Sequence, residues 1–398
     1  MNPHQNPLQW LPGHELLIHD IVKADGCHVT DSRGKRYLDL ESGVWCTSIG
    51  HAHPRVLKVL ARQAAAVAHT GFNYTSPVVA DTARRLLGLL DFDGGRCVLL
   101  CSGSEAVEFG VRAARMVIPR PLLLTMTDSY CGAYGSAHAK RPEEWHLFDW
   151  TVCKRCPAAR SCKGGCEHFA TIPFDRIGGH LLEPGSSSGL VHFPPKKLIQ
   201  AMATTVQKEG GLVLVNEVTT GMGRTGEWFG FQHYGIAPDI VALGKGLGAG
   251  YPVSATVFSP RAVRMLGDIP VPYAQSHQND PLGAAVAATV IDVIEEEGLI
   301  DKGRRTGARL LAGLMAVRES TDRIVHIRAR GLMLAIELGD DSLRSRTAWL
   351  HRALVQRGFL VGRRPKAPVL RLDPPLTLAE EDIEAFLAAL KDLFKQMP

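Results

Sequence analysis

No stretch of this sequence approaches the roughly 18 consecutive apolar residues that a membrane-spanning helix requires, so no membrane partner is expected. The opening MNPHQNPLQW lacks both the charged start and the apolar run of a secretory signal. Dense basic runs are missing as well. The formal charge of +5 is spread along the chain, and without a basic stripe to neutralise phosphates no nucleic-acid partner is expected. Internal repeats and low-complexity linkers are absent. These absences point to a soluble, cytoplasmic protein. In that compartment the nine cysteines are expected as thiols or ligands rather than disulfides. A chain of 398 residues exceeds what one hydrophobic core usually supports, so two or more domains are expected.

What is present is a rhythm of short strands and helices. The segment Asp25 to Leu40 alternates polar and apolar residues about Ser32-Arg33-Gly34 and reads as a hairpin. Helical periodicity follows from His53 to His69. From Gly95 onward, CVLLC (97–101), PLLLTMT (121–127), GGHLLE (178–183), GLVLVNE (211–217) and DIVALG (239–244) have the length of buried parallel strands. Helical stretches such as EAVEFGVRAARMV and PPKKLIQAMATTVQKEG lie between them, which predicts an α/β sheet covered on both faces. A long helix is expected over 279–298, and the last hundred residues mix helices with short strands and close on EEDIEAFLAALKDLFKQM. We expect a large domain over 51–290 and a smaller α+β domain built from 1–50 and 291–398.

In such sheets, ligands bind beyond the carboxyl ends of the strands. Four segments there carry suggestive residues. CVLLC runs into Ser102-Gly103-Ser104-Glu105, which could cradle a phosphate at a helix start or simply cap the helix. LVLVNEVTTGMGRTG puts Asn216 and Glu217 at a strand end before a glycine-rich turn. DIVALGKGLGAGYP sets Lys245 among glycines, either as an amine able to condense with an aldehyde or as a lysine reaching solvent. Arg371 in VLRLDPP could grip a carboxylate with two nitrogens or form a structural ion pair.

The order and spacing of these segments, together with GHAHPRV, EPGSSSG, SHQNDPLGAAVA and GLMLAIEL, resemble the class III aminotransferases over nearly the whole chain. The resemblance implies the fold-type I architecture of pyridoxal 5′-phosphate (PLP) enzymes and a homodimer with a shared active site. It assigns Lys245 as the Schiff-base lysine and proton-transfer base, and Gly103 and Ser104 as phosphate holders. Tyr130 would stack on the pyridine ring, and Ser276 would reach the phosphate of the second subunit. Asn216, Val218 and Thr219 would line the cofactor, Glu183 would support its loop, Arg371 would take the substrate carboxylate, and Trp45 would wall the substrate pocket. A non-catalytic PLP-binding regulator would need a DNA-binding domain for which no segment is spare.

Departures from the family pattern bear on the substrate. Asn216 stands where the family has an aspartate paired with the pyridine nitrogen; an amide can hydrogen-bond that nitrogen but cannot neutralise a pyridinium. Thr219 replaces a frequent glutamine, Cys131 a histidine or tryptophan, Ala133 an arginine and Ser188 a glutamate. These changes argue for a substrate with one carboxylate and an uncharged side chain. Amino transfer between an amino acid or amine and a keto acid or aldehyde is the expected reaction. Decarboxylating transamination and racemisation or epimerisation are the alternatives on the same site.

One segment lies outside the family pattern. Over 153–168, CKRCPAARSCKGGCEH presents Cys153, Cys156, Cys162 and Cys166 with His168 close behind. Thiols so close together in a basic, glycine-rich loop suit a tetrahedral Zn²⁺. An iron–sulfur cluster or free or redox-paired thiols are the other readings. Cys27, Cys46, Cys97 and Cys101 read as small buried hydrophobes.

Overall fold

The computed structural model describes Leu8 and residues 14–339, 345–365 and 367–398. The opening MNPHQNPLQW, on which the absence of a signal rests, lies outside the described residues except for Leu8.

Three short antiparallel strands come first: β1 (Ile21–Asp25), β2 (His28–Asp31) and β3 (Arg36–Asp39). The expected hairpin is the β2–β3 pair. Its turn is fixed by Asp31, whose Oδ1 accepts from the N–H groups of Arg33 and Lys35 at 3.0 and 2.9 Å. Gly34 supplies the positive φ of +82° that this tight return needs.

The central sheet has seven strands: β4 (Arg96–Leu100), β5 (Leu122–Met126), β6 (Trp145–Phe148), β7 (Ile177–Leu182), β8 (Leu212–Asn216), β9 (Ile240–Leu243) and β10 (Ser254–Phe258), in the order β4-β10-β9-β8-β7-β5-β6. Strands β5 to β9 run parallel, and β10 is antiparallel to both its neighbours. The expectation that CVLLC is a parallel strand is therefore corrected: β4 pairs only with β10, in the antiparallel sense. Strands β6 and β10 are not anticipated from the sequence. SATVF carries two hydroxyl residues at fully buried positions, where Ser254 and Thr256 satisfy themselves on the carbonyls of Ser102 and Ala106. Strands β5, β7, β8, β9 and β10 are buried at every residue, as a sheet covered on both faces requires. The helix Pro281–Glu296 is buried nearly all round, in keeping with its alanine- and valine-rich sequence.

Toward the end of the chain lie β11 (Ile324–Arg330), β12 (Met333–Leu338), β13 (Phe359–Leu360), β14 (Gly362–Arg363) and β15 (Val369–Leu372). They form a sheet β11-β12-β15-β14, except that β13 joins the N-terminal strands by pairing parallel with β3. Both ends of the chain thus share one sheet. Among the described residues no helix is long and apolar enough to cross a membrane.

A single buried guanidinium ties these parts to the central loops. Arg224, 1% exposed, donates from Nη1 to the carbonyls of Leu332 (3.1 Å) and Pro374, and from Nη2 to Ser42 Oγ (3.4 Å) and Ser48 Oγ (3.3 Å). Burial pushes its pKa down to about 10, against the opposing charges of Asp373 and Asp39. Replacing Arg224 by methionine keeps bulk but leaves the Leu332 and Pro374 carbonyls without this donor and Asp373 with Arg371 as its remaining cation. The expected loss is about 3 kcal/mol or more of unfolding free energy, read as an earlier urea midpoint; an unchanged midpoint would show that the clasp contributes nothing.

Candidate active site

The loops at the carboxyl ends of β4, β5, β8 and β9 converge on one cavity of about 380 Å³, lined among others by Gly103, Ser104, Tyr130, Asn216, Val218, Thr219 and Lys245. Residues far apart in the chain therefore meet where the sheet topology directs them.

One wall is the start of the helix Gly103–Val117. Ser102 and Glu105 close a reciprocal capping box, with Ser102 Oγ accepting from Glu105 N–H (3.3 Å) and Glu105 Oε2 from Ser102 N–H (2.7 Å). This consumes the cap's own polar groups and leaves the first-turn amides of a 15-residue helix at its positive end. Ser104 Oγ accepts from Ala133 N–H at 2.9 Å, which pins the Tyr130 loop over the helix start. A Cβ on Gly103 would stand 2.5 Å from Val218 Cγ1, and one on Gly244 would stand 3.2 Å from Gly103 Cα. Glycine is thus required for the helix start, the Asn216 turn and the lysine loop to pack together.

Lys245 projects from the β9 end with φ of +46°, left-handed geometry that a non-glycine residue adopts only under constraint. Burial lowers the pKa of its amine; Cys46 and Glu183 oppose this and Arg371 adds to it. Lowering the pKa of an amine raises its neutral fraction and makes it a better nucleophile toward an aldehyde. Its Nζ lies 5.5 Å from the centroid of the Trp45 ring. The guanidinium of Arg371 packs on the same ring at 3.9 Å and is paired with Glu41 (3.1 Å) and Asp373 (3.4 Å). Trp45 sits in a turn where Ser42, Gly43, Val44 and Trp45 all have φ between +50° and +67°. Such left-handed residues cost roughly 1–2 kcal/mol each, and this turn is held by the contact of Ser42 with Arg224.

Glu183 organises the opposite side. Its Oε1 accepts from Cys131 N–H (2.9 Å) and Asn216 Nδ2 (2.9 Å), and its Oε2 from the N–H groups of Tyr130 (3.1 Å) and Ser187 (3.0 Å). Burial pushes its carboxyl upward and the donors pull it down. Four N–H donors on its two oxygens favour the carboxylate form against that burial. The same contacts fix the Asn216 amide: Nδ2 faces the carboxylate while Oδ1 accepts from Val218 N–H at 3.2 Å. Thr219 Oγ1 meets Ser187 Oγ at 2.9 Å and closes the loop.

Two expectations fare differently. Ser276 lies on an exposed turn and does not line this chain's cavity. Cys153, Cys156, Cys162 and Cys166 share one loop, and the charges of the other three raise Cys153, which burial chiefly pushes up to about 11. No three of their sulfurs come within 4.8 Å of one another, so the loop as folded is not a preformed tetrahedral cage. Cys166 Sγ instead accepts from Phe169 N–H (3.4 Å), and His168 bonds the Asp149 carbonyl. Among the described residues the set that does converge is His69, His277 and Asp280. There each imidazole shares a ring nitrogen with one Asp280 oxygen, at 2.6 and 2.5 Å. Sequence reasoning also missed Glu41, Cys46 and Cys101. The two thiols line the cavity and are only partly buried, contrary to the reading as buried hydrophobes. The available signal was adjacency, Cys46 following Trp45 and Cys101 preceding Ser102.

A sequence profile of the family described as aminotransferase class-III matches residues 12–146 and 152–394. The chain belongs to the class III aminotransferases. It is 31% identical over 380 residues to the acetylornithine aminotransferase of Streptomyces coelicolor, covering 94% of this chain and 91% of that one. It is 30% identical over 385 residues to ornithine aminotransferase 1 of Staphylococcus aureus, covering 94% of each. Its fold superposes on a PLP-bound amine transaminase from an uncultivated Pseudomonas species with a TM-score of 0.87, 27% identity and 99% of both chains covered. This class III aminotransferase is a PLP-dependent enzyme. The site fits the cofactor on its own chemistry: an amine of lowered pKa in the cavity, free helix-start amides on one wall and a close-packed glycine approach between them.

In this aminotransferase Asn216→Asp would set a second carboxylate oxygen about where Nδ2 now lies, 2.9 Å from Glu183. The pair can be accommodated only by sharing a proton, which raises one folded-state pKa above its unfolded value. The folded variant then binds more protons than the unfolded chain near neutrality, so its stability falls as pH rises. The melting gap to the native protein should widen from pH 5.5 to pH 8.5; a gap constant with pH would mean that Glu183 already carries a proton.

Proposed function

We propose that this class III aminotransferase moves an amino group between an amino acid or amine with an uncharged side chain and a keto acid or aldehyde acceptor. The observation that carries the reading is the placement of Lys245 and Arg371 against one buried indole, at 5.5 and 3.9 Å from the Trp45 ring. A substrate whose reacting carbon stands at the lysine has its carboxylate directed toward the arginine. PLP, when bound, supplies the aldehyde and the electron-withdrawing ring. The chain's residues do the rest. Gly103 and Ser104 hold the phosphate at the helix start, and Tyr130, Val218 and Thr219 wall the ring. Asn216, oriented by Glu183, faces the ring nitrogen as a neutral partner. Lys245 Nζ moves the proton at the substrate carbon, and Trp45 excludes water.

The neutral Asn216 leaves the ring a weaker electron sink than an aspartate would. That motivates decarboxylating transamination or racemisation as the rival outcome. The family and its relatives favour amino transfer. Residues 51–290 form the cofactor domain in this reading, and 1–50 with 291–398 the smaller domain. We assign the protein to the cytoplasm and to a homodimer in which the exposed Ser276 serves the second subunit's phosphate site. A monomer at all concentrations in sedimentation analysis would contradict that assembly.

The deciding experiment is the visible spectrum of the PLP-loaded protein with a panel of 2-deuterated amino acids. The native protein should show a band that bleaches with one donor as keto acid appears, and Lys245→Ala should lack it. Deuterium loss without keto acid would assign racemisation instead.

A further inference from the structure

Asp280 stands at the N-cap position of the helix Pro281–Glu296, yet its carboxylate does not cap the helix. An aspartate there ordinarily accepts from the amides of the first turn. Here both oxygens are turned to imidazoles instead, Oδ1 to Nδ1 of His69 at 2.6 Å and Oδ2 to Nδ1 of His277 at 2.5 Å. Among the described residues no lysine or arginine is paired with Asp280. The two rings stand 4.9 Å apart, centroid to centroid, at 55° to each other. His69 comes from the segment after the helix Pro54–Ala66, 211 positions before Asp280. Two imidazoles and one carboxylate from distant stretches thus place three ligand atoms within 4.8 Å of one another.

The backbone fixes this arrangement in advance. Asn279 is left-handed (φ +59°) and clamped to β4 in both directions: its N–H donates to the Leu99 carbonyl and its Oδ1 accepts from Leu99 N–H, each at 2.9 Å. One step earlier in the turn, His277 N–H donates to Gln275 Oε1 at 2.8 Å. His277 and Asp280 also border a cavity of about 170 Å³, several times the roughly 30 Å³ that one water occupies in the liquid.

We propose that His69, His277 and Asp280 form a three-ligand site for a divalent transition-metal ion of the Zn²⁺ class. Two imidazole nitrogens and one carboxylate suit Zn²⁺, Ni²⁺ or Co²⁺, whereas Mg²⁺ and Ca²⁺ favour all-oxygen shells. The ion lies between the two Nδ1 atoms and a carboxylate oxygen, and a water from the bordering cavity takes the fourth position. Each neutral imidazole shifts its proton from Nδ1 to Nε2 and offers the Nδ1 lone pair; both rings are exposed enough for solvent to meet the relocated N–H. With metal–ligand bonds of about 2.0–2.1 Å at tetrahedral angles the donor atoms separate to about 3.3 Å, so the rings move by less than about 1 Å. The ion then ties the segment after the helix Pro54–Ala66 to the turn that also bears Ser276. The thiols of the 153–166 loop, of which no three sulfurs converge, take no part.

The test uses the PLP-loaded protein, stripped with a chelator and dialysed against Zn²⁺ alone at about 10 µM free ion, enough to fill a site of micromolar Kd. Zinc per chain is then measured by elemental analysis. The native protein should hold one ion more than His69→Ala and one more than His277→Ala, and any ion held by cysteines cancels in the difference. Asp280→Asn, which keeps the side chain's shape, should lose the same ion. In chelator the variants should melt close to the native protein, which shows that they fold; added Zn²⁺ should then raise the native melting temperature more than theirs. Equal zinc in the native protein and the variants overturns the proposal, and so does a loss confined to one of the two histidine variants, since the site must draw on both. Equal rises in melting temperature would overturn the tie between the two segments. Mg²⁺ in about hundredfold excess should leave the zinc in place, and its displacement would overturn the assigned ion class.

Discussion

The guanidinium of Arg224 sits out of reach of water and is shared by four oxygen atoms from three stretches of chain. Ser42 and Ser48 belong to one stretch near the N-terminus, Leu332 and Pro374 to two others in the last part of the chain, and Arg224 itself to the loop after β8. The left-handed turn that presents Trp45, next to the cavity-lining Cys46, begins at Ser42 in the first of these stretches. Strain at the pocket wall and the buried cation behind it are thus two ends of one construction. Local backbone cost at Ser42–Trp45 persists because tertiary contacts leave it no relaxed alternative.

Around the Lys245 amine, charge is arranged in two groups. On one side Glu183 collects three backbone N–H groups and the Asn216 amide, which orders the Tyr130 loop and fixes the Asn216 side chain. On the other, Arg371 is balanced between a fixed Asp373 and a more accessible Glu41. Lys245 lies between the two groups and feels both, Glu183 raising its pKa and Arg371 lowering it. Asn216 is therefore embedded in a satisfied hydrogen-bond network. That is why an aspartate there would meet the Glu183 carboxylate.

Much of this was legible in the sequence, for identifiable reasons. Runs such as LVLVN and IVAL are apolar without interruption because their strands are buried on both faces, and the helix at Gly103 announces itself through the Ser102–Glu105 spacing. Lys245, Asn216 and Gly103 are recognisable because they stand in glycine-rich turns at strand ends. What was illegible depends on pairings across long sequence distance. Strand β10 hides its burial behind Ser254 and Thr256, which are satisfied by carbonyls some 150 residues earlier. Glu41 and Arg371 are 330 positions apart, and nothing local marks them as partners. In the cysteine loop, close spacing along the chain is not matched by convergence of the sulfurs as folded, and Cys166 caps a short helix. Ser276 lies on an exposed turn that does not line this chain's cavity.

Three thiols, those of Cys46, Cys101 and Cys131, line a cavity built to hold an aldehyde. Sulfur is ordinarily the better nucleophile toward a carbonyl, and a thiolate in such a place would compete with the lysine for the cofactor. Burial decides the contest. Removing water disfavours whichever protonation state is charged, so it strips the proton from an amine and keeps the proton on a thiol. The pKa of Lys245 is lowered and those of all three cysteines are raised, with desolvation the largest cause in each. A single property of the pocket, its partial burial of these groups, thereby moves the amine toward its neutral form and the three thiols away from their thiolate forms.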